Sequence, residues 1–268
     1  MNVKPYIGIT GVENSKQLGR MITCYSQKRN IPHLFMIGGV VSYKTLIDVK
    51  DKPIVLMKNE IKDVFEELKN QDREDVLLAF HYFTKPLEKV RLELREKAKY
   101  IVEKPLDQQI GELFENIYED FERVEPAFQL GVQINVSWPK PRDVNQIKIN
   151  YPKLRTILQV SDFTSIEERI RKYDVDYVLI DTSRGEGKKL DVNEAIKIHD
   201  VISKNNTATI GFAGGFSSRN VRERVYSIRR ELDKKDFCID AQGRLRTEGL
   251  LDMDKANIYF KEAIEAFQ

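Results

Sequence analysis

The chain is short of the residues that build cross-links and metal cages. It has two cysteines and three histidines. Cys24 and Cys238 lie far apart without metal-ligand spacing, which speaks against a disulfide scaffold or a zinc module and for free thiols in a reducing compartment. Nine prolines and fourteen glycines in 268 residues are too few for a low-complexity or collagen-like chain. No apolar run approaches the ~18 residues of a membrane helix, and the N-terminus opens on a strand-like segment instead of a signal sequence. The expectation is a cytoplasmic protein with no membrane partner. Charge of one sign is also missing: 44 basic residues face 42 acidic ones. They are interspersed, as in Arg91-Leu-Glu-Leu-Arg-Glu-Lys97, which is the pattern of a solvated helix face, whereas a nucleic-acid footprint would cluster one sign.

What is present is alternation. Short β-branched or apolar runs recur between longer stretches of helical period, the pattern of parallel strands joined by crossover helices. The runs predict strands at Tyr6–Thr10, His33–Ile37, Val76–Tyr82, Gln129–Val136, Thr156–Val160, Tyr177–Asp181, Thr209–Ala213 and Phe237–Ala241. Eight parallel strands can close into a barrel without an exposed edge, and the chain length is near the roughly 250 residues of a single (β/α)8 domain. One domain, residues 1–268, is therefore expected. A helix is predicted over Asn59 to Asn70. Ser165-Ile-Glu-Glu reads as a capping box before Ile166 to Arg171, and Asp191-Val-Asn-Glu194 repeats the device before Ala195 to Ile202. More than forty residues, Thr84 to Ala127, separate strands three and four. Pro86 and Pro105 predict two helices in this insertion, which could also form a subunit contact in a homo-oligomer.

In a (β/α)8 barrel the chemistry gathers at the C-terminal strand ends, with phosphate usually held after strands seven and eight. Strand seven runs into Gly211-Phe-Ala-Gly-Gly-Phe216, where Gly214 and Gly215 let backbone N–H groups approach an anion ahead of a helix starting near Val221. The same glycines also fit a plain tight turn. Strand eight ends in Asp240-Ala-Gln-Gly-Arg244, so Gly243 and Arg244 could complete the anion site, or be a turn glycine and a solvated arginine. Strand six ends in Asp181, a candidate general acid or base, or a structural cap. His81 is the one histidine that falls on the predicted rim; His33 begins a strand at the other end and His199 lies in a helix. Asn135, Trp138, Gln159 and Asp162 stand at or just after strand ends, where they could orient a polar ligand. Packing of the loop is the simpler role for Trp138.

These motifs, in this order, resemble the phosphoribosylanthranilate isomerases. Leu179-Ile-Asp-Thr182, Gly185-Glu-Gly-Lys188 and Leu190-Asp191 are similar to that family's sixth strand and the loop after it. Phe212-Ala-Gly-Gly-Phe216 with Asn220-Val221 resembles its phosphate segment, and Gly8-Ile-Thr10 its first-strand motif. The likeness covers roughly residues 155 to 265 and the first strand, while residues 30 to 130 match poorly. It implies a TIM barrel of the ribulose-phosphate-binding type and conversion of an aminoaldose into an aminoketose, with no metal or redox cofactor. It also implies that Asp181 is the acid.

Three departures stand out. Ile7 occupies the position of the family's catalytic cysteine. The family's arginine after strand two has no counterpart in Gly38-Gly-Val-Val-Ser-Tyr43. Asp240 falls one position nearer its glycine than the family pattern. The expectation is therefore an isomerase-like enzyme acting on a phosphorylated sugar or phosphoribosyl compound by acid–base chemistry, with His81 as a substitute base. The alternative is a regulatory barrel that binds a phosphorylated metabolite without converting it. A hydrolase or lyase would need a metal cluster or an inward lysine, neither of which the sequence offers.

Overall fold

The structure, a computed structural model, describes residues 3–26, 31–50, 52–115, 117–136, 138–183 and 190–268. Eight parallel strands close into a barrel in strict chain order: β1 (Tyr6–Val12), β2 (Leu34–Ser42), β3 (Val76–Phe83), β4 (Gln129–Ile134), β5 (Arg155–Val160), β6 (Tyr177–Asp181), β7 (Thr209–Ala213) and β8 (Cys238–Ala241). The circle is shut by β1 pairing with β8, Gly8 opposite Asp240 and Ile9 opposite Ala241. This is the (β/α)8 TIM-barrel architecture.

Strand alternation sorts the apolar side chains into two bodies. Tyr6, Leu34, Met36, Leu77, Ala79, Ile157, Tyr177 and Leu179 fill the barrel interior. Ile7, Ile9, Phe35, Ile37, Leu78 and Phe80 point outward, where they pack with helix residues such as Leu18, Val64 and Phe114. The helical layer comprises α1 (Ser15–Ser26), a short α2 (Tyr43–Leu46), α3 (Lys58–Lys69), α4 (Arg95–Val102), α5 (Leu106–Phe114), α6 (Tyr118–Val124), α7 (Pro141–Asn150), α8 (Ile166–Ile170), α9 (Val192–Asn205), α10 (Val221–Glu231) and α11 (Met253–Phe267). Before α11 a small hairpin pairs Arg246–Thr247 with Leu250–Leu251. Its Arg246 donates to Gly11 O at 2.8 Å and pairs with Glu13 at 2.9 Å, tying the hairpin to the end of β1.

Three elements differ from the sequence reading. The segment after β3 holds three helices, α4 to α6, where two were expected. Pro105 does separate α4 from α5, standing just ahead of α5 where a missing N–H costs nothing. A third helix follows and ends at Glu125 in a left-handed conformation, φ 48°. The insertion forms the β3-to-β4 crossover and is anchored to the barrel: Phe114 packs edge-on against Phe80, Gln109 bonds the buried Tyr82 hydroxyl, and Asp120 pairs with Lys69 of α3.

The second difference concerns Ser165, which does not cap α8 through its side chain. Its φ is 51°, and the free N–H of Thr164 is taken by Asp162 instead. By contrast, Asp191 accepts from Glu194 N at 3.1 Å and caps α9 as its pattern implies. The third difference is β2, which continues five residues past Ile37 through Gly38 and Gly39. A side chain at Gly38 would stand 2.6 Å from Thr10 Oγ1, and one at Gly39 would stand 2.6 Å from Leu56 Cδ1. These glycines are there to make room for neighbours within a strand; they do not mark a turn.

Candidate active site

A cavity of about 550 Å³ opens at the C-terminal ends of the strands. It is bounded by His81 of β3, Gln133 of β4, Gln159 of β5, Asp181 of β6, the turn Gly214-Gly215-Phe216 after β7, and Asp240 through Arg244 at the end of β8. Asn135, just beyond β4, also reaches it. Of the residues singled out in the sequence, Asp181, His81, Gly214, Gly215, Gly243, Arg244, Asn135, Asp240 and Gln159 are thus brought together. Asp162 and Trp138 are not. The Trp138 indole N–H donates to Asp162 O at 2.8 Å, the ring lies beside Tyr173 and Arg169, and the Asp162 carboxylate pairs with Arg169. Both hold the loops after β4 and β5 together outside the cavity. Gly185 to Lys188 lie outside the described residues.

Two polar networks form the floor. In the first, Asp181 accepts hydrogen bonds from Ser183 N at 3.0 Å, from Ser183 Oγ at 2.6 Å and from Gln159 Nε2 at 2.9 Å. Gln159 thus presents its NH2 to Asp181 and its carbonyl to Gln133, whose Nε2 donates at 2.8 Å. That chain leaves the Gln133 carbonyl oxygen buried without a partner.

In the second network, Thr10 Oγ1 donates to both oxygens of Asp240 at 3.0 Å and lies 2.9 Å from His81 Nε2. One hydroxyl has one proton. With that proton on Asp240, His81 must donate to Thr10 through Nε2–H. Burial pushes the His81 imidazole down to about 3, so the ring is neutral. Asp240 moves the other way. Burial, and to a smaller extent the charge of Asp181, push its carboxyl up to about 7 against the hydrogen bonds of Thr10 and Ala241 N–H.

The first strand reaches this floor through Thr10. A side chain at Gly8 would meet Met36 and Asp240, so Gly8 faces the interior. Alternation then turns Ile7 and Ile9 outward into the helical layer, where both are fully buried. Ile7 therefore neither carries a transferable proton nor faces the cavity.

The turn after β7 is set by positive φ at Gly214 (98°) and Gly215 (69°). In such a conformation successive backbone N–H groups can converge on an anion. A side chain at Gly214 would also stand 2.9 Å from Asp181 Oδ1. Behind the turn, the buried Arg224 of α10 donates to Gly214 O at 3.1 Å and lies over the Phe216 ring. Asn220 accepts from Ser217 N and donates to Gly215 O, fixing the other side. Burial, and the facing positive charge of Arg244, lower the Arg224 guanidinium from its ordinary value. Two guanidiniums close enough to feel each other beside a glycine turn make a region that favours an anion.

The sequence reading missed Thr10, Gln133, Ser183 and Arg224. Thr10 and Gln133 sit at strand positions where a polar residue breaks an apolar face, a signal available in the sequence. Arg224 lies in a helix dense with arginine and glutamate, and nothing in the sequence separates it from its solvated neighbours. Among the described residues no cluster of three or more His, Cys, Asp or Glu is placed to hold a metal. No helix among them is long and apolar enough to cross a membrane.

The fold is a (β/α)8 barrel, and its cavity brings a turn of positive-φ glycines together with two buried carboxyls, Asp181 and Asp240. No family model matches the sequence, and no curated protein matches it. Solved structures do match. TrpF from Jonesia denitrificans superposes over 98% of this chain and 100% of its own, with a TM-score of 0.58 at 13% identity. Phosphoribosyl anthranilate isomerase from Thermus thermophilus matches over 97% and 98%, with a TM-score of 0.57 at 13% identity. A Rubisco-like protein from Rhodopseudomonas palustris matches 99% of this chain and 65% of its own, with a TM-score of 0.53 at 10% identity. The chain thus has the (β/α)8 barrel fold of these structures, and at these identities the likeness is one of fold.

Proposed function

We propose that this protein is an isomerase that binds a phosphorylated sugar or phosphoribosyl compound in the barrel-top cavity and interconverts its aldose and ketose forms by acid–base chemistry. The observation that carries the reading is the meeting, in one cavity, of the Gly214-Gly215 turn with its arginines and two buried carboxylates, Asp181 and Asp240. The phosphate would rest against the turn and Arg244, with Arg224 bracing the turn from behind. The sugar carbons would then extend over the floor, where Gln133, Gln159, Asn135 and His81 offer hydrogen bonds to hydroxyl groups. The unpartnered Gln133 carbonyl is an acceptor that a sugar hydroxyl could satisfy after a small side-chain shift.

The reaction asks for little else. A proton leaves C2 as another reaches the carbonyl oxygen, and a positioned acid and base each contribute ~10²–10⁴-fold to such transfers. Asp181 and Asp240 supply them from β6 and β8, the strands on either side of β7, with Thr10 and His81 holding Asp240 from β1 and β3. The test is turnover of a panel of aldose phosphates and phosphoribosyl compounds, followed by NMR. Asp181→Asn is expected to abolish turnover while leaving ligand affinity nearly intact. Full activity in that variant would remove Asp181 from the chemistry.

A further inference from the structure

The cavity has two unlike sides. In the closed ring of eight strands, β3 and β4 stand across from β7 and β8. The glycine turn and Arg244 follow β7 and β8, so a phosphate held there sends the rest of its ligand toward His81 of β3 and Gln133 of β4, with Asn135 just beyond β4. The chemistry of that far side therefore selects the end of the ligand away from its phosphate.

The far side is built of amides in a fixed order. Gln159 donates to Asp181 at 2.9 Å and accepts from Gln133 Nε2 at 2.8 Å. These two bonds orient the Gln133 amide, with its NH2 on Gln159 and its carbonyl unclaimed. Gln133 is 1% exposed, and its carbonyl oxygen is buried without a partner. A buried acceptor of this kind gains from a donor. Gln133 lines the cavity, so an O–H group of a ligand there can supply that donor after a small side-chain shift.

An aryl group is the opposite case, since a ring laid on this wall would cover the carbonyl and offer it nothing. The cavity also lacks a face for one. Among the described lining residues Phe216 has the one benzene ring, and it stands on the phosphate side, 1% exposed, with Arg224 over it. Trp138 lies outside the cavity beside Tyr173.

We infer that Gln133 is a specificity-determining residue, and that the ligand is a phosphorylated polyhydroxy sugar with a free hydroxyl away from its phosphate, not an N-aryl sugar phosphate. This rests on the sugar-phosphate reading of the cavity and narrows it. Gln159 is the positioning residue. Without its carbonyl the Gln133 amide can turn its NH2 to the ligand, and the demand for a donor is lost.

The test is calorimetric titration of the whole protein with aldose phosphates such as ribose 5-phosphate. Each is compared with the anhydroalditol phosphate and the 2-deoxy sugar phosphate that lack its hydroxyls at C1 and C2. The reduced analogue of phosphoribosylanthranilate is the aryl probe, and inorganic phosphate is the control. Wild type is expected to bind the best aldose phosphate about ten- to a hundredfold more tightly than at least one deoxy counterpart, the loss that follows when a buried acceptor goes unpaired. It should also bind that aldose phosphate more tightly than the aryl probe.

Gln133→Leu, which keeps the bulk and removes the carbonyl, should erase the hydroxyl preference while affinity for inorganic phosphate stays as in wild type. Gln159→Met should reduce the preference as well, and reads the same contact if Gln133→Leu does not fold. Equal binding of hydroxylated and deoxy compounds by the wild type, a preference that survives both substitutions, or tighter binding of the aryl probe would overturn the assignment. If no aldose phosphate, deoxy counterpart or aryl probe binds the wild type more tightly than inorganic phosphate, the sugar-phosphate reading itself falls, and the inference with it.

Discussion

Gly214 and Gly243 line the same cavity for different physical reasons, and substitution should separate them. Gly214 has a φ of 98°, and an added Cβ would press on Asp181 Oδ1, so Gly214→Ala is expected to destabilise by roughly 1–3 kcal/mol. An added Cβ at Gly243 would meet nothing within 4 Å. Gly243→Ala should therefore leave stability within about 0.5 kcal/mol of wild type in urea unfolding, while Gly243→Leu should fill the cavity mouth. Asp240 leaves its own mark on stability. Its folded-state value of about 7 lies above its unfolded one. Between about pH 4 and 7 the folded protein holds a proton that the unfolded chain has released, so this group's contribution weakens as pH rises through that window. Asp240→Asn should be more stable than wild type above pH 7, by up to roughly 4 kcal/mol, with the difference gone near pH 4. His33, pushed down by burial to about 4, and His81, to about 3, act in the opposite sense. They cost stability as pH falls below their unfolded values, so the mutant-minus-wild-type difference is the quantity to read from melting curves. A difference that does not change with pH would contradict the Asp240 environment.

At the scale of elements, α10 does more than cover β7. Its N-terminal turn fixes Ser217 through Asn220, and its second turn delivers Arg224 to the carbonyl of Gly214. An arginine with its head buried against a backbone carbonyl and an aromatic ring holds geometry; it is not a loose surface charge. Arg224→Met, which keeps the stem, is expected to weaken phosphate-ester binding about tenfold, or ~1.4 kcal/mol, by calorimetric titration, with the barrel intact by circular dichroism. Unchanged affinity would show that the turn holds its shape without α10. The strand elements explain which boundaries could be read from sequence. β6 and β7 stand where their apolar runs end. β2 runs on past the expected Ile37 to Ser42, because in the barrel Gly38 and Gly39 clear space for Thr10, Leu56 and Phe80. β4 stops at Ile134, short of the expected Val136, and Trp138 beyond it has a φ of 44°.

For the whole molecule, the count of eight runs and the strand-end positions were legible because a closed parallel barrel repeats one pattern, and that pattern places Asp181, His81, Asp240 and the glycine turn on a common rim. What the sequence withholds is direction. Nothing in Tyr6-Ile-Gly-Ile-Thr10 says which alternate set faces inward until Gly8 is seen beside Asp240. The family resemblance drew attention to Ile7, while the barrel presents Thr10. Nor does sequence show that Trp138 and Asp162 satisfy each other outside the cavity, since that depends on two loops meeting. The central claim is that the barrel-top cavity takes a phosphorylated sugar. Its most direct test is the melting temperature of the wild type and of Gly243→Leu with aldose phosphates, phosphoribosyl compounds, a reduced analogue of phosphoribosylanthranilate and inorganic phosphate as control. A ligand at a hundred times its dissociation constant adds about 2.7 kcal/mol. The account predicts that at least one phosphorylated sugar raises the wild-type melting temperature well beyond phosphate, and that Gly243→Leu loses the shift. No shift with any of these compounds, or the same shift in both proteins, would contradict it.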